Sequence, residues 1–387
     1  MRRFAILLAA VLAACAPAPR SGTSAAPTDA RDTLYYPPRG DWAVRRAAQA
    51  GMDSAKLAAA VAYHLANESS YLRDLGEQVR RNTAREPYPD ILGPTKERTG
   101  ANGVIIRHGY IVAEWGDTRQ VDMTFSVSKS YLATTAGLAF DRGMIPDFHA
   151  PVARLVDDGG FEGPHNSLIT WHMLLNQTSE WEGTLWDKPD VADRRRGYDR
   201  RLNAPGTFWE YNDVRVNRAA LALLQVWKRP LPQVLKEHVM DPIGASDTWE
   251  WHGYRNSVVE IGGRRMVSVS GGGHWGGGVW ASTRDHARFG LLHLRRGRWA
   301  GRQLLSERWI ALATTPTELR PVYGYMWWLN TDRAQYASAP ASSFFALGAG
   351  GNVIWVDPEH DLVAVIRWTD TSKIDGFMRM VVEAVGR

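Results

Sequence analysis

The chain predicts an α+β fold: an antiparallel sheet built from its N- and C-terminal parts and flanked by helices, beside an all-helical lobe. Three observations carry this. Strand-like apolar runs cluster at the two ends, over Val104–Val112, Asn352–Val356 and Leu362–Trp368. Between them, from about Pro151 to Ile261, the patterning is mostly helical, with long Trp- and Arg-containing loops. An apolar, Ala-rich helix opens at Ser126 and runs to about Arg142, with Gly143 as its stop and Pro146 beyond.

The elements follow in order. Residues from about Asp41 to Ala66 have helical patterning, with Leu57, Val61 and Leu65 on one face. Val104-Ile105-Ile106 and Tyr110-Ile111-Val112 flank Arg107-His108-Gly109, a hairpin with a glycine turn. Ile169–Leu175 reads as a short helix started by Thr170, and Asn217–Trp227 as a strongly apolar helix. Arg264–Ser270 and the Gly-rich Gly271–Gly278 lead into Ser282-Thr283-Arg284-Asp285, which caps a helix toward Leu294. Asp357-Pro358-Glu359-His360 joins the last two strands, and a helix over about Ile374–Val385 ends the chain. No internal repeat is apparent.

The 387 residues suffice for two domains or one large composite one, and 44% apolar with 22% charged residues is ordinary for a globular protein. The net charge of +5 is modest, and no long basic block interleaved with aromatics points to nucleic acid. The densest basic run is Arg194-Arg195-Arg196 and Arg200-Arg201, with Asp193 and Asp199 among them. It reads as a solvated face; an acidic substrate or an anionic lipid surface is the alternative. No cysteine pair and no His-Glu-x-x-His is present, so no metal and no cofactor is expected.

Arg2-Arg3 precede an apolar run, Phe4–Ala14, of signal-peptide length. It ends Leu12-Ala13-Ala14-Cys15, which resembles a bacterial lipobox. That resemblance implies cleavage before Cys15, lipidation of Cys15, and a mature protein held at the cell envelope on the periplasmic face. Ala16 after the cysteine resembles lipoproteins sent on to an outer membrane. Cys15 is the chain's one cysteine, so no disulfide is available to it within the chain. Ala16 to about Pro38, rich in Ala, Pro, Ser, Thr and Gly, reads as a flexible tether.

The chemistry centres on Phe125-Ser126-Val127-Ser128-Lys129-Ser130. On a helix, residues three apart share a face, which puts the Ser126 hydroxyl beside the Lys129 amine. A serine hydroxyl is a weak nucleophile until a neighbouring base takes its proton, and a partly desolvated lysine can help. The bland alternatives are a helix cap for Ser126 and a solvated first-turn residue for Lys129. Three further segments supply context. Pro205-Gly206-Thr207-Phe208-Trp209-Glu210-Tyr211-Asn212-Asp213 precedes the Asn217 helix. The Gly271–Gly278 loop contains Gly-x-Gly-x-x-Gly (Gly271, Gly273, Gly276), but no βαβ unit surrounds it and a nucleotide reading is poor. Ala346-Leu347-Gly348-Ala349-Gly350-Gly351-Asn352 leads into a strand, and its glycines allow close approach of a ligand to the backbone.

Taken together, residues 90 to 385 resemble the serine hydrolases of the class C β-lactamase and penicillin-binding-protein type, which include esterases, DD-peptidases and 6-aminohexanoate-dimer hydrolases. Ser126-Val127-Ser128-Lys129 matches the family's Ser-x-x-Lys, and Tyr211-Asn212-Asp213 falls on its Tyr-x-Asn. Ala346-Leu347-Gly348 falls on its Lys-Thr-Gly or His-x-Gly. The resemblance implies a β-lactamase/transpeptidase-like fold without cofactor. It implies Ser126 as nucleophile, Lys129 and Tyr211 as the base system, and the backbone N–H groups of Ser126 and of Ala349, on the strand after Gly348, as oxyanion donors. On this reading residues 1–14 are a signal peptide and 15–38 the lipidated cysteine and tether. Residues 39–387 are the hydrolase domain, its α/β part at about 39–150 and 262–387 and its helical lobe at about 151–261.

Two departures sharpen the expectation. Asp213 stands where the family has Asn, and an ionised carboxylate cannot donate to a substrate carbonyl. Placed near Lys129, it makes the lysine a fixed positive charge and leaves Tyr211 as the base. Ala346-Leu347 lacks the cation or hydroxyl that holds a substrate carboxylate in the family, which favours an esterase or amidase acting on uncharged substrates. Trp181, Trp186, His274 and Trp275, in loops near the motifs, are candidates for the cleft wall. The expected partners are a small ester or amide substrate and, through Cys15, a membrane. The alternatives are a peptidoglycan DD-peptidase or β-lactamase, and an inactive cell-envelope binding protein on the same fold.

Overall fold

The computed structural model describes residues 34–386. The signal-peptide, Cys15 and most of the tether readings fall outside the described residues. Where the tether reading overlaps them, the chain is packed. Tyr35 stacks on Tyr110 with ring centroids 4.2 Å apart, and the Arg288 guanidinium donates to the carbonyls of Pro37 and Pro38.

The main sheet begins with β1 (Asn102–Arg107) and β2 (Tyr110–Trp115), joined by the expected hairpin. His108 and Gly109 both take positive φ, 52° and 86°, as a tight two-residue turn requires. After β3 (Asp122–Met123), the two-residue pair β4 (Thr184–Leu185) and β5 (Lys188–Pro189) lies within the helical region. Then come β6 (Glu250–Ile261), β7 (Arg264–Val269), β8 (Gly278–Ala281), and a second short pair, β9 (Arg298–Trp299) and β10 (Arg302–Gln303). The C-terminal strands are β11 (Trp328–Leu329), β12 (Phe344–Gly348), β13 (Asn352–Asp357) and β14 (Leu362–Arg367).

Six of these form one antiparallel sheet in the order β11-β12-β13-β14-β1-β2. Within it β14 pairs with β1, in register Asn102↔Arg367 to Arg107↔Leu362, so the two ends of the chain build one sheet as expected. β13 and β14 are buried at every position because helices cover both faces. Val104, Ile106, Ile354, Val356, Val363 and Val365 join the larger core, while Ile105, Val353, Trp355, Ala364 and Ile366 join a second one. This strict alternation assigns each residue to a face. The second core is closed by α1 (Ser54–Ala66) against α10 (Ile374–Ala384), and the first by α8 (Thr283–Leu294), capped by Ser282 as expected. A smaller sheet, β3-β8-β6-β7, stands beside the nucleophile segment.

The remaining helices are α2 (Leu75–Thr83), α3 (Ser128–Asp141), α4 (Gly163–Asn166), α5 (Trp171–Leu175), α6 (Asp213–Trp227), α7 (Leu231–Leu235) and α9 (Glu307–Ala313). α3 is buried over nearly its whole length and packs against α6, α7 and α9. A helix buried all round in this way belongs at the centre of a layered core.

Three sequence expectations differ from the structure. The helix read from Asp41 starts only at Ser54: Gly51, at φ 70°, ends a short turn, and Asp53 caps the helix through Ala55 N and Lys56 N. Residues 250–261, read as part of the helical lobe, are the long strand β6. Its register slips between Gly253 and Val258, which breaks the period-two pattern that would have marked it. Phe344–Gly348, read as the approach to a strand, is itself a strand, short and without alternation.

Candidate active site

The Ser126 segment is a tight turn locked to β8. Thr124 N and Oγ1 both donate to the Val279 carbonyl, at 3.1 and 2.6 Å, and Val279 N donates to Ser128 Oγ at 2.8 Å. Phe125 sits at φ 49°, unusual for a bulky residue, wedged edge-on between Tyr71 and Trp368. The turn Phe125–Val127 runs into α3, so Ser126 and Lys129 share a face across the junction rather than within one regular helix. Lys129 Nζ lies 2.9 Å from Ser126 Oγ. The spacing therefore delivers the contact that was expected of it.

Tyr211-Asn212-Asp213 forms the entrance to α6. Asn212 is the cap, its side chain accepting from Arg215 N at 3.1 Å, and Asp213 is the first helical residue. Asp213 Oδ1 lies 2.5 Å from Lys129 Nζ, and both side chains are about 1% exposed. Asp213 Oδ2 accepts from His274 N at 3.2 Å. Burial alone would drive Lys129 below its ordinary value, but Asp213, with Tyr211, outweighs it and holds the amine above it. Burial likewise opposes the Asp213 carboxylate, and Lys129 outweighs that too, holding it below the usual range. Each partner keeps the other charged. Lys129 is thus an ammonium that donates to Ser126 Oγ and has no lone pair with which to take its proton.

Tyr211 packs in an aromatic cluster with Trp209, Tyr323 and Trp328. Lys129 Nζ lies 4.4 Å and the Arg195 guanidinium 4.9 Å from its ring centroid. Behind it, Glu180 and Glu210 are fully buried between Arg200 and Arg215. Burial opposes the Glu180 carboxylate, yet Arg200 and Arg215 pull it down to about 2. This charge network fixes the strand of chain that carries Tyr211. Arg200 and Glu210 stood in quoted segments of the sequence without a role, and Glu180 and Arg215 were not singled out.

The third wall is β12. A Cβ on Gly348 would stand 2.2 Å from the Thr124 carbonyl, so only glycine lets the strand lie against the nucleophile turn. Ala349 is the first residue of the β12–β13 turn, not a strand residue as expected, and its carbonyl is taken by Asn352 Nδ2. Ser126, Tyr211, Gly348 and Ala349 nevertheless line one cleft of about 270 Å³, together with His274, Gly272 and Leu347. Asn82, Phe125, Arg195 and Trp328 complete it. Of these, Phe125 stood in the Ser126 segment and Arg195 in the basic run; nothing marked Asn82 or Trp328.

The other expected wall residues lie elsewhere. Trp181 and Trp186 line a separate cavity with Arg218 and Asp158. Trp181 is held there by its indole N–H on the Gly160 carbonyl. Trp275 is fully buried, its indole donating to Glu86. Neighbourhood in sequence did not carry over to space because the loops turn sharply at Gly183 and Gly276. Among the described residues no cluster of His, Cys, Asp or Glu could hold a metal ion.

Gly272 backs the Lys129–Asp213 pair. A Cβ there would fall 2.0 Å from Asp213 Oδ2 and 2.4 Å from Lys129 Nζ. Gly272→Ala is expected to push the pair apart, lowering kcat by about 10²-fold and stability by about 2 kcal/mol. Steady-state kinetics and denaturant unfolding check this. Unchanged kcat would show that the pair's position is not limiting.

The arrangement has known counterparts. The beta-lactamase family model matches residues 90–381. The chain belongs to the beta-lactamase family. An uncharacterized protein of Alkalihalophilus pseudofirmus is 25% identical over 315 residues, 72% of this chain and 86% of that protein. Among solved structures, a penicillin-binding protein homologue from Caulobacter crescentus superposes with a TM-score of 0.56 at 15% identity. That match covers 80% of this chain and 96% of the other. EstCE1, a hydrolase with promiscuous acyltransferase activity, superposes at 0.55 and 15% identity, covering 86% and 98%. These likenesses show the beta-lactamase/transpeptidase fold expected from the sequence.

Proposed function

We propose that the chain is a serine hydrolase that cleaves an ester or amide through an acyl-enzyme on Ser126. One observation carries the reading: Ser126 Oγ lies 2.9 Å from an ammonium that is itself pinned by a buried carboxylate, at the wall of a cleft shared with Tyr211. In the forward step the Tyr211 side-chain oxygen, as general base, accepts the Ser126 proton as Oγ bonds to the carbonyl carbon. The negative charge moves to the carbonyl oxygen, facing the backbone N–H groups of Ser126 and Ala349. Tyr211 then passes the proton to the leaving group as that bond breaks. Water repeats the sequence on the acyl-enzyme, with Tyr211 taking its proton and returning it to Ser126. Lys129 stays charged throughout and stabilises the negative charge that develops on Oγ as its proton leaves.

The test is a panel of a fluorophosphonate probe, a fluorescent penicillin and p-nitrophenyl esters on the full chain, with Ser126→Ala as control. Ester turnover and fluorophosphonate labelling that both need Ser126 support the proposal. Penicillin labelling without ester turnover would shift it to a DD-peptidase or β-lactamase. No Ser126-dependent signal would favour a binding protein instead.

We further propose that Cys15 carries a lipid anchor at the cell envelope, on the strength of Leu12-Ala13-Ala14-Cys15 after the apolar run. Cys15→Ala is expected to abolish metabolic palmitate labelling and release the protein from membranes. Labelling that persists in the variant would overturn this.

A further inference from the structure

The strand that should carry a substrate-anchoring cation carries Ala346 and Leu347 instead. The cleft nevertheless has a cation, from another direction. Arg195 sits on the segment before Tyr211, and its side chain is half exposed. Besides its place over the Tyr211 ring, its one hydrogen bond found among the described residues is from Nε to Asp193 Oδ1, at 3.2 Å. No hydrogen bond or ion pair from its two Nη groups is found among the described residues. Its neighbours in the basic run face away: Arg194 is paired with Asp190 and Arg200 with Glu180 and Glu210.

The charges around the cleft are layered in one sense. Asp193 is 5% exposed and lies behind Arg195, where it also accepts from Asp213 N at 2.7 Å. Asp213 lies behind Lys129. Glu86 lies behind His274, 2.7 Å from its Nε2. Burial disfavours the charged imidazole, but Asp193, Glu86 and Asp213 outweigh it and raise His274 above its ordinary value. None of the three carboxylates lines the cleft, whereas Arg195 and His274 do. A ligand therefore meets donors and no acidic side chain. Arg195 also lies over the Tyr211 ring, the group that handles the leaving group in the proposed mechanism.

We infer that Arg195 is a specificity-determining residue, which binds a carboxylate on the leaving-group side of an ester or amide substrate through its free guanidinium edge. This replaces the expectation of uncharged substrates, which considered only the β12 position. The Arg195 guanidinium lies 4.9 Å from the Tyr211 ring centroid, so the anion it selects sits beside Tyr211. A planar fork with two unengaged nitrogens suits a carboxylate, which it can meet with two parallel hydrogen bonds. The inference rests on the acyl-enzyme reading.

The test uses two kinds of probe on the full chain. Phenylboronic acid and its 3- and 4-carboxy derivatives accept a lone pair from a serine oxygen to form a reversible tetrahedral adduct, read by calorimetry. The second pair is 4-acetoxybenzoate and its methyl ester, one leaving group bearing a carboxylate and the other not; their intrinsic difference in reactivity cancels when wild type and variant are compared. The wild type is expected to bind the better carboxyphenylboronate at least about tenfold tighter than phenylboronic acid, and to show a similar preference in kcat/KM for 4-acetoxybenzoate. Arg195→Gln is expected to erase both preferences, and Arg195→Lys to keep part of each. A merely structural role would lower both members of each pair equally and leave the ratios unmoved. Equal affinities that still depend on Ser126, or ratios unchanged in Arg195→Gln, overturn this inference alone. No Ser126-dependent binding or turnover overturns the acyl-enzyme reading, and this inference with it.

Discussion

Ser126→Ala is expected to lower kcat/KM for any ester the protein turns over by at least about 10³-fold, and to abolish the fluorophosphonate adduct in intact mass. The residual rate would come from the oxyanion donors and from binding. Stability should stay within about 1 kcal/mol of wild type, because the removed hydroxyl makes one hydrogen bond and Lys129 keeps its ion pair with Asp213. Activity and folding therefore separate at this position. An alanine variant that still takes the label would place the nucleophile elsewhere. A variant that unfolds would show that the Ser126 hydroxyl holds the turn together.

Asp213→Asn restores the residue the family places here and is expected to harm this protein. Removing one partner of a buried pair leaves the other uncompensated, a loss of about 3 kcal/mol or more. The sign with pH follows from the shifts. Lys129 is raised in the folded wild type, so its contribution is fully present below the unfolded value of about 10.4 and is lost only as pH climbs through the higher folded value. Asp213 is lowered, so its contribution is present above about 3.9 and is lost as pH falls through the folded value. Across neutral pH the wild-type pair is flat. In Asp213→Asn the counter-charge is gone, and burial, the largest influence on Lys129, is no longer outweighed. The amine then titrates below its ordinary value, and the variant becomes less stable as pH falls, because a buried neutral lysine must take up a proton. The basic limb of kcat/KM should move to lower pH, since catalysis needs the ammonium. At pH 7 the loss should be about tenfold or more, at 1.4 kcal/mol per decade. Unfolding at pH 6 and pH 9, with a pH–rate profile, reads both effects. A basic limb that does not move would show that Lys129 is not held as an ammonium by Asp213.

Different kinds of information decided what the sequence could show. The Ser126–Lys129 contact was legible because helical spacing is local, and the Tyr211–Asp213 segment because it precedes a strongly apolar helix. The halves of the main sheet were legible because β13 and β14 are continuous apolar runs. β6 was not, because its register slip erases the alternation, and β12 was not, because five residues ending in glycine carry no period. Five arginines in the basic run look alike in sequence. Their different fates depend on Glu180, Asp190 and Glu210, which reach them only after the loop has folded back on itself. Trp181 and Trp275 show the converse: large aromatics close to a motif in sequence are drawn into core packing that the motif does not share.

The pairing of β1 with β14 has a consequence for how the protein comes to exist. Asn102 and Arg367 are partners, so the ladder that joins the two halves of the sheet cannot begin to form until nearly the whole chain has been synthesised. The β12 wall beside Ser126 belongs to the same late segment, while the helices bearing Ser126 and Tyr211 come earlier. A topology dominated by such distant pairings folds slowly and passes through incomplete states. A nascent or truncated chain thus carries Ser126 and Lys129 without the cleft, and the complete cleft arrives last, with the closing strands.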